Sequence, residues 1–123
     1  MIKLVYAIRR RPDFSPKDFY ARWLAHAPLV KELAEAINAR RYVQSHTLDT
    51  PLNGQFVQSR GMQAPYDGIT EVWWDSIEDL VAGMNTPEGQ AAHRRLLEDE
   101  QAFIDLANST IFLTEEHPIF DRA

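Results

Sequence analysis

The sequence predicts an α+β domain: a four-stranded antiparallel sheet with helices on one of its faces. Three observations lead there. Strand-like and helix-like segments follow one another as β-α-β-β-α-β. The first helical segment carries one long apolar stripe. Two of the strands are apolar on both faces, so both sides of the sheet must be covered.

The elements follow in order. Ile2 to Ile8 is aliphatic and aromatic, stops at Arg9-Arg10-Arg11-Pro12, and reads as a strand. Ser15-Pro16-Lys17-Asp18 is a helix start: a capping serine, a proline suited to the first turn, and an acid at the positive end of the dipole. Phe19, Tyr20, Trp23, Ala27, Val30, Leu33, Ala34 and Ile37 then recur at spacings of three and four, which predicts a helix of about six turns ending near Asn38. Arg41 to Leu48 reads as a second strand. Residues 49–67 contain Pro51, Asn53-Gly54, Gly61 and Pro65, and read as a long loop, a candidate lid. Gly68 to Asp75 is the strongest strand. Ser76 caps a short helix expected to bury Ile77, Leu80, Val81 and Met84. Thr86-Pro87-Glu88 opens another reaching about Ala107, and Thr110 to Glu115 is the last strand, followed by a tail over 116–123. The whole, 1–123, reads as a single domain with the split βαβ, or ferredoxin-like, arrangement. Ile69 and Trp73 share one face of the third strand, Val72 and Trp74 the other, and helices can cover only one. A second copy of the chain, sheet against sheet, is the economical cover, so a homodimer is expected.

Composition narrows the function. A net charge of −5 and a pI near 5.3 argue against nucleic acid or an anionic membrane as partner. There is no cysteine, so thiolate metal sites and cysteine nucleophiles are excluded. No apolar run is long enough to span a bilayer, and the first residues do not resemble a secretion signal, so a cytoplasmic location is expected. The four histidines lack metal-ligand spacing and no phosphate-binding glycine loop is present, so neither a metal nor an organic cofactor is expected.

His26 is the foremost candidate for chemistry. It falls inside the apolar stripe, three residues after Trp23 and four before Val30. A histidine there is either a core residue satisfied by a carbonyl or tyrosine, or a group lining a pocket. Pro28 favours the pocket: a proline within a helix costs roughly 3 kcal/mol and kinks it, which would open space beside His26. Glu71 alternates with Ile69 and Trp73, and is either a pocket acid or an ion-pair partner for an arginine such as Arg41. His46 is a candidate second acid/base. Tyr6, Trp23, Val30 and Trp73 are candidate pocket walls, and Tyr66, at the Tyr66-Asp67-Gly68 junction, a candidate orienting group. His93, next to Arg94-Arg95, is expected on a solvated face, and His117 in the tail.

The block Phe19, Tyr20, Trp23, His26, Pro28, Leu29 and Val30 resembles the helix of EthD-like proteins, members of the dimeric α/β-barrel superfamily. So does Tyr66-Asp67-Gly68-Ile69-Thr70-Glu71-Val72-Trp73-Trp74, and so does Asp99-Glu100 with Phe103-Ile104-Asp105. The resemblance implies a ferredoxin-like fold paired into a dimeric barrel and catalysis without metal or organic cofactor. It also implies a small hydrophobic aromatic, polyketide or lactone-like substrate, since relatives include a lactone methylisomerase and polyketide decarboxylases or dehydratases. The histidine of the helix block acts there in proton transfer, a role that falls on His26; His46 is the nearest match to a second histidine. The expected function is therefore a cofactor-independent isomerase, dehydratase or decarboxylase. A non-catalytic binding protein and a cofactor-free monooxygenase are the alternatives.

Overall fold

A computed structural model describes residues 1–122. The strands are β1 (Ile2–Ile8), β2 (Arg41–His46), β3 (Gly68–Trp74) and β4 (Thr110–Glu115); the helices are α1 (Pro16–Leu33), α2 (Pro51–Arg60), α3 (Ile77–Met84) and α4 (Pro87–Glu100). The strands form one antiparallel sheet in the order β2-β3-β1-β4, the order of a ferredoxin-like fold. β1 is central. Its register sets Leu4 opposite Val72 and Leu113, and Tyr6 opposite Thr70 and Ile111. These side chains share the face under the helices. Lys3, Val5, Glu71, Trp73 and Phe112 occupy the other.

Local chemistry sets the helix starts. The Ser15, Thr50, Ser76 and Thr86 side chains each accept a backbone N–H of the first turn, and proline opens α1, α2 and α4. α1 runs without interruption through Pro28. That proline is exposed, and the carbonyl it leaves without a helical partner belongs to Leu24, itself on the solvent side. After Leu33 the chain turns to Asn38, whose φ of 60° ends the segment in the left-handed region.

Residues 49–67 are not one long loop. Thr50 and Pro51 start α2, and Gly61, at φ 60°, ends it with its N–H donating to the Val57 carbonyl. α2 buries no residue, so it carries no apolar stripe to be read from sequence. In α3 only Leu80 and Gly83 are buried; Ile77, Val81 and Met84 are largely exposed. α4 stops at Glu100, short of Ala107, because turns and a short 3-10 segment, Leu106–Asn108, lead into β4. Gly68 is not strained. A Cβ there would lie 2.6 Å from the Trp23 ring and 2.4 Å from the Ser45 carbonyl oxygen, so glycine lets α1 approach the sheet.

Two packed clusters hold α1 and α4 to the sheet. One gathers Val30, Leu33, Ile37, Trp74, Leu80 and Leu96; the other Tyr6, Ile8, Phe19, Trp23, Phe103 and Ile104. Between them the packing is left open.

Candidate active site

The opening is a cavity of about 380 Å³, bounded by α1, α4 and the inner face of the sheet. That volume lies at the low end of the range of roughly 300–1,000 Å³ typical of small-molecule sites. Trp23, His26 and Val30, at spacings of three and four on α1, form one wall. His93, Leu96, Leu97 and Glu100 form another, following the same periodicity on α4. Tyr6, Tyr42 and Thr70 are the polar side chains of the floor, set among aliphatic neighbours.

His26 is 5% exposed. Its Nδ1 lies 2.5 Å from Oδ2 of Asp99, a residue 73 positions further along the chain, near the end of α4. Arg22, one turn before His26, donates to both oxygens of the same carboxyl, at 2.5 and 3.2 Å, and its guanidinium lies over the Phe103 ring. The Arg22 hydrogen bonds, with that of His26, outweigh partial burial and hold the Asp99 carboxyl below its ordinary range. Asp99 is thus a carboxylate, which can only accept. The proton of the neutral imidazole is therefore on Nδ1, and Nε2 is the atom His26 brings to the cavity with a free lone pair.

Glu100, the next residue, has the opposite environment. Burial, and secondarily the charge of Asp99, pushes its carboxyl up to about 7, against the lowering effect of a hydrogen bond from Tyr6. The Tyr6 hydroxyl is itself held protonated well above its ordinary range by burial and by Glu100. His93 also lines the cavity instead of facing solvent. Burial lowers its pKa, and its Nε2 is buried with no hydrogen-bond partner among the described residues.

The remaining candidates lie elsewhere. Glu71 is on the outer face of the sheet, paired with Lys3 at 2.8 Å and not with Arg41. Trp73 shares that face: Arg41 lies over its ring, and its indole N–H donates to Glu116 at 2.6 Å. Tyr66 is half-buried beneath the Arg9 guanidinium, outside the cavity. His46 is stacked on Tyr20 and Trp23, with ring centroids 4.9 and 4.4 Å away, and bonds Gln44 Oε1. It touches the back of a cavity wall but does not line the cavity. No residue of 49–67 lines it either. Asp99 and Glu100 were not singled out from sequence as site residues. Their signal was present, since both fall on the apolar stripe of Ala92, Leu96 and Phe103.

Among the described residues no group of three or more His, Asp or Glu side chains is placed to hold a metal ion, and no helix is long and apolar enough to cross a membrane.

The fold and site define a ferredoxin-like α+β domain with a ligand-sized cavity fronted by a histidine–carboxylate pair. Residues 11–107 match the model of the EthD domain, and the chain belongs to the EthD family. Among solved structures it is similar to an EthD family protein from Bacillus halodurans C-125, with 23% identity, a TM-score of 0.61, and 95% of this chain and 99% of that one covered. It is similar to a dimeric protein of unknown function and ferredoxin-like fold from Bacteroides fragilis, at 11% identity and TM-score 0.58 over 94% and 95% of the two chains. A third is SnoaB, a cofactor-independent oxygenase from Streptomyces nogalater, at 11% identity and TM-score 0.55 over 98% and 97%. No curated protein matches.

Proposed function

We propose that the chain is a cofactor-independent enzyme that moves a proton on a small, largely apolar molecule, in an isomerisation, dehydration or decarboxylation. The observation that supports this is the chain of contacts Arg22–Asp99–His26 ending at the cavity. Asp99 fixes the tautomer and orientation of the ring, and it stabilises the imidazolium that forms when Nε2 takes a proton. Tyr6, Trp23 and Val30 supply walls of the binding space. Glu71, His46, Tyr66 and Trp73 have no part in it.

Exchange of α-hydrogens for deuterium tests the reading. In D₂O the protein should accelerate exchange in 2-tetralone, followed by proton NMR, and His26→Ala should lose that acceleration while keeping its far-UV circular dichroism. Equal exchange by the two proteins would sink it. Proton removal from an activated C–H or O–H is also the first step of a cofactor-free oxygenation, the activity named for SnoaB. Oxygen uptake during turnover would move the chain to that class.

We also propose that the chain is a homodimer paired through the outer face of its sheet, as a cytoplasmic protein without cysteine. Val5, Val43, Ile69 and Phe112 lie on that face, and the Bacteroides fragilis relative is described as dimeric. A monomer in sedimentation equilibrium would refute it.

A further inference from the structure

Asp99 and Glu100 are neighbours in sequence with opposite fates. Asp99 is satisfied by Arg22 and His26 and half-turned to solvent. Glu100 lines the cavity together with Tyr6, and no arginine or lysine among the described residues lines the cavity to balance its charge. The groups around it are Tyr6 on β1, Tyr42 on β2, His26 on α1, and His93 and Asp99 on α4, with Arg22 already committed to Asp99. A carboxyl so placed is most stable as the neutral acid, and a neutral acid is a hydrogen-bond donor. An anionic guest would meet a low-dielectric space with no cation.

Resting on the proton-transfer reading above, we infer that Glu100, which shares the cavity lining with Tyr6, receives the carbonyl oxygen of the substrate, so that the cavity selects neutral enolisable carbonyl compounds and excludes carboxylates. In the step this implies, His26 Nε2 takes the α-proton as the C–H bond breaks. The electron pair of that bond becomes the C=C bond, and the carbonyl oxygen takes the proton of the Glu100 carboxyl. The products are an enol, an imidazolium and a carboxylate. Reversal restores all three groups, and a proton returned to a different carbon completes an isomerisation. No co-reactant is needed.

Binding separates this inference from the activity on which it rests. Trp23 and Trp74 line the cavity, so quenching of intrinsic tryptophan fluorescence reports occupancy. The compounds are 2-tetralone, a neutral ketone, and 2-naphthoate, a carboxylate on a similar two-ring frame. At pH 6 the wild-type protein should bind 2-tetralone at least about tenfold more tightly than 2-naphthoate. Affinity for 2-tetralone should fall as the pH is raised to 8, because Glu100 then ionises and ceases to donate. Glu100→Gln, which donates at every pH, should remove that dependence. Glu100→Leu should weaken 2-tetralone binding about tenfold at pH 6. Tyr6→Phe, which removes a donor to the carboxylate, should shift the midpoint of the dependence to higher pH, an effect that loss of packing alone would not produce. Equal affinity of wild type and Glu100→Leu for 2-tetralone, equal binding of the two compounds, or binding of neither would overturn the inference. Loss of exchange in His26→Ala with unchanged binding in Glu100→Leu would leave proton transfer standing and remove Glu100 from it.

Discussion

The two faces of the sheet contain similar residue types and put them to different uses. On the outer face Glu71 is neutralised by Lys3, and Trp73 lies under Arg41 with its N–H bonded to Glu116. Glu71 and Trp73 each have a local partner of opposite character there. On the inner face His26, Glu100, Tyr6 and His93 converge on empty volume, and Glu100 has no cationic partner. The outer carboxylate is held in an ion pair, whereas burial makes the inner one titratable near neutrality. A charged or aromatic residue on a strand is therefore informative about chemistry only once its partners are known.

Substitutions on matching residues can break or sharpen this contrast. The largest effect is expected at His26→Ala, which should slow deuterium exchange by about 10²–10⁴-fold, the usual range for losing a general base. Glu71→Gln on the outer face should leave the rate within about twofold and change stability by less than about 1 kcal/mol, since the ion pair it removes is partly exposed. Next is Phe103→Ala. This fully buried ring packs on Phe19 and His26, and its removal should cost about 3–5 kcal/mol in urea unfolding. Asp99→Asn should keep the fold but slow exchange by about 10²–10⁴-fold, because an amide does not stabilise the imidazolium.

The smallest effect concerns stability and pH. The Glu100 carboxyl titrates near 7 in the folded chain and near 4.5 when unfolded, so between those values the native state binds more protons and stability falls as pH rises. Glu100→Gln should therefore raise the melting temperature relative to wild type at pH 8 by more than it does at pH 5. An equal difference at both would show that Glu100 is not a buried acid. Asp99 has the opposite sign: its lowered pKa contributes stability above the unfolded value, lost as pH falls through the folded one.

The four strands, the first helix and the place of His26 on it were legible because all rest on period. An apolar stripe at three and four puts Trp23, His26 and Val30 on one face of α1 wherever the helix docks. Glu71 and Trp73 were misplaced because alternation sorts a strand into two faces without saying which one meets the helices, and β3 has a tryptophan on each. α2 escaped because helix periodicity needs a buried side, and this helix has none; its caps, Thr50-Pro51 and Gly61, were the readable marks. Asp99 and Glu100 acquire their roles from Arg22, His26 and Tyr6, far away in the chain, and no local pattern carries that pairing.

The end of α4 has one more consequence. Glu98, Asp99 and Glu100 fill its last turn, with no basic residue among them, at the pole where a helix dipole favours cations by about 0.3–1 kcal/mol each. A helix selected for durability alone would end in lysine. Keeping acids there sets endurance against the proposed proton transfer in a single turn of helix. A lineage driven toward heat resistance can relieve the conflict cheaply at Glu98, which is exposed, but at Glu100 only by giving up the acid that faces the cavity.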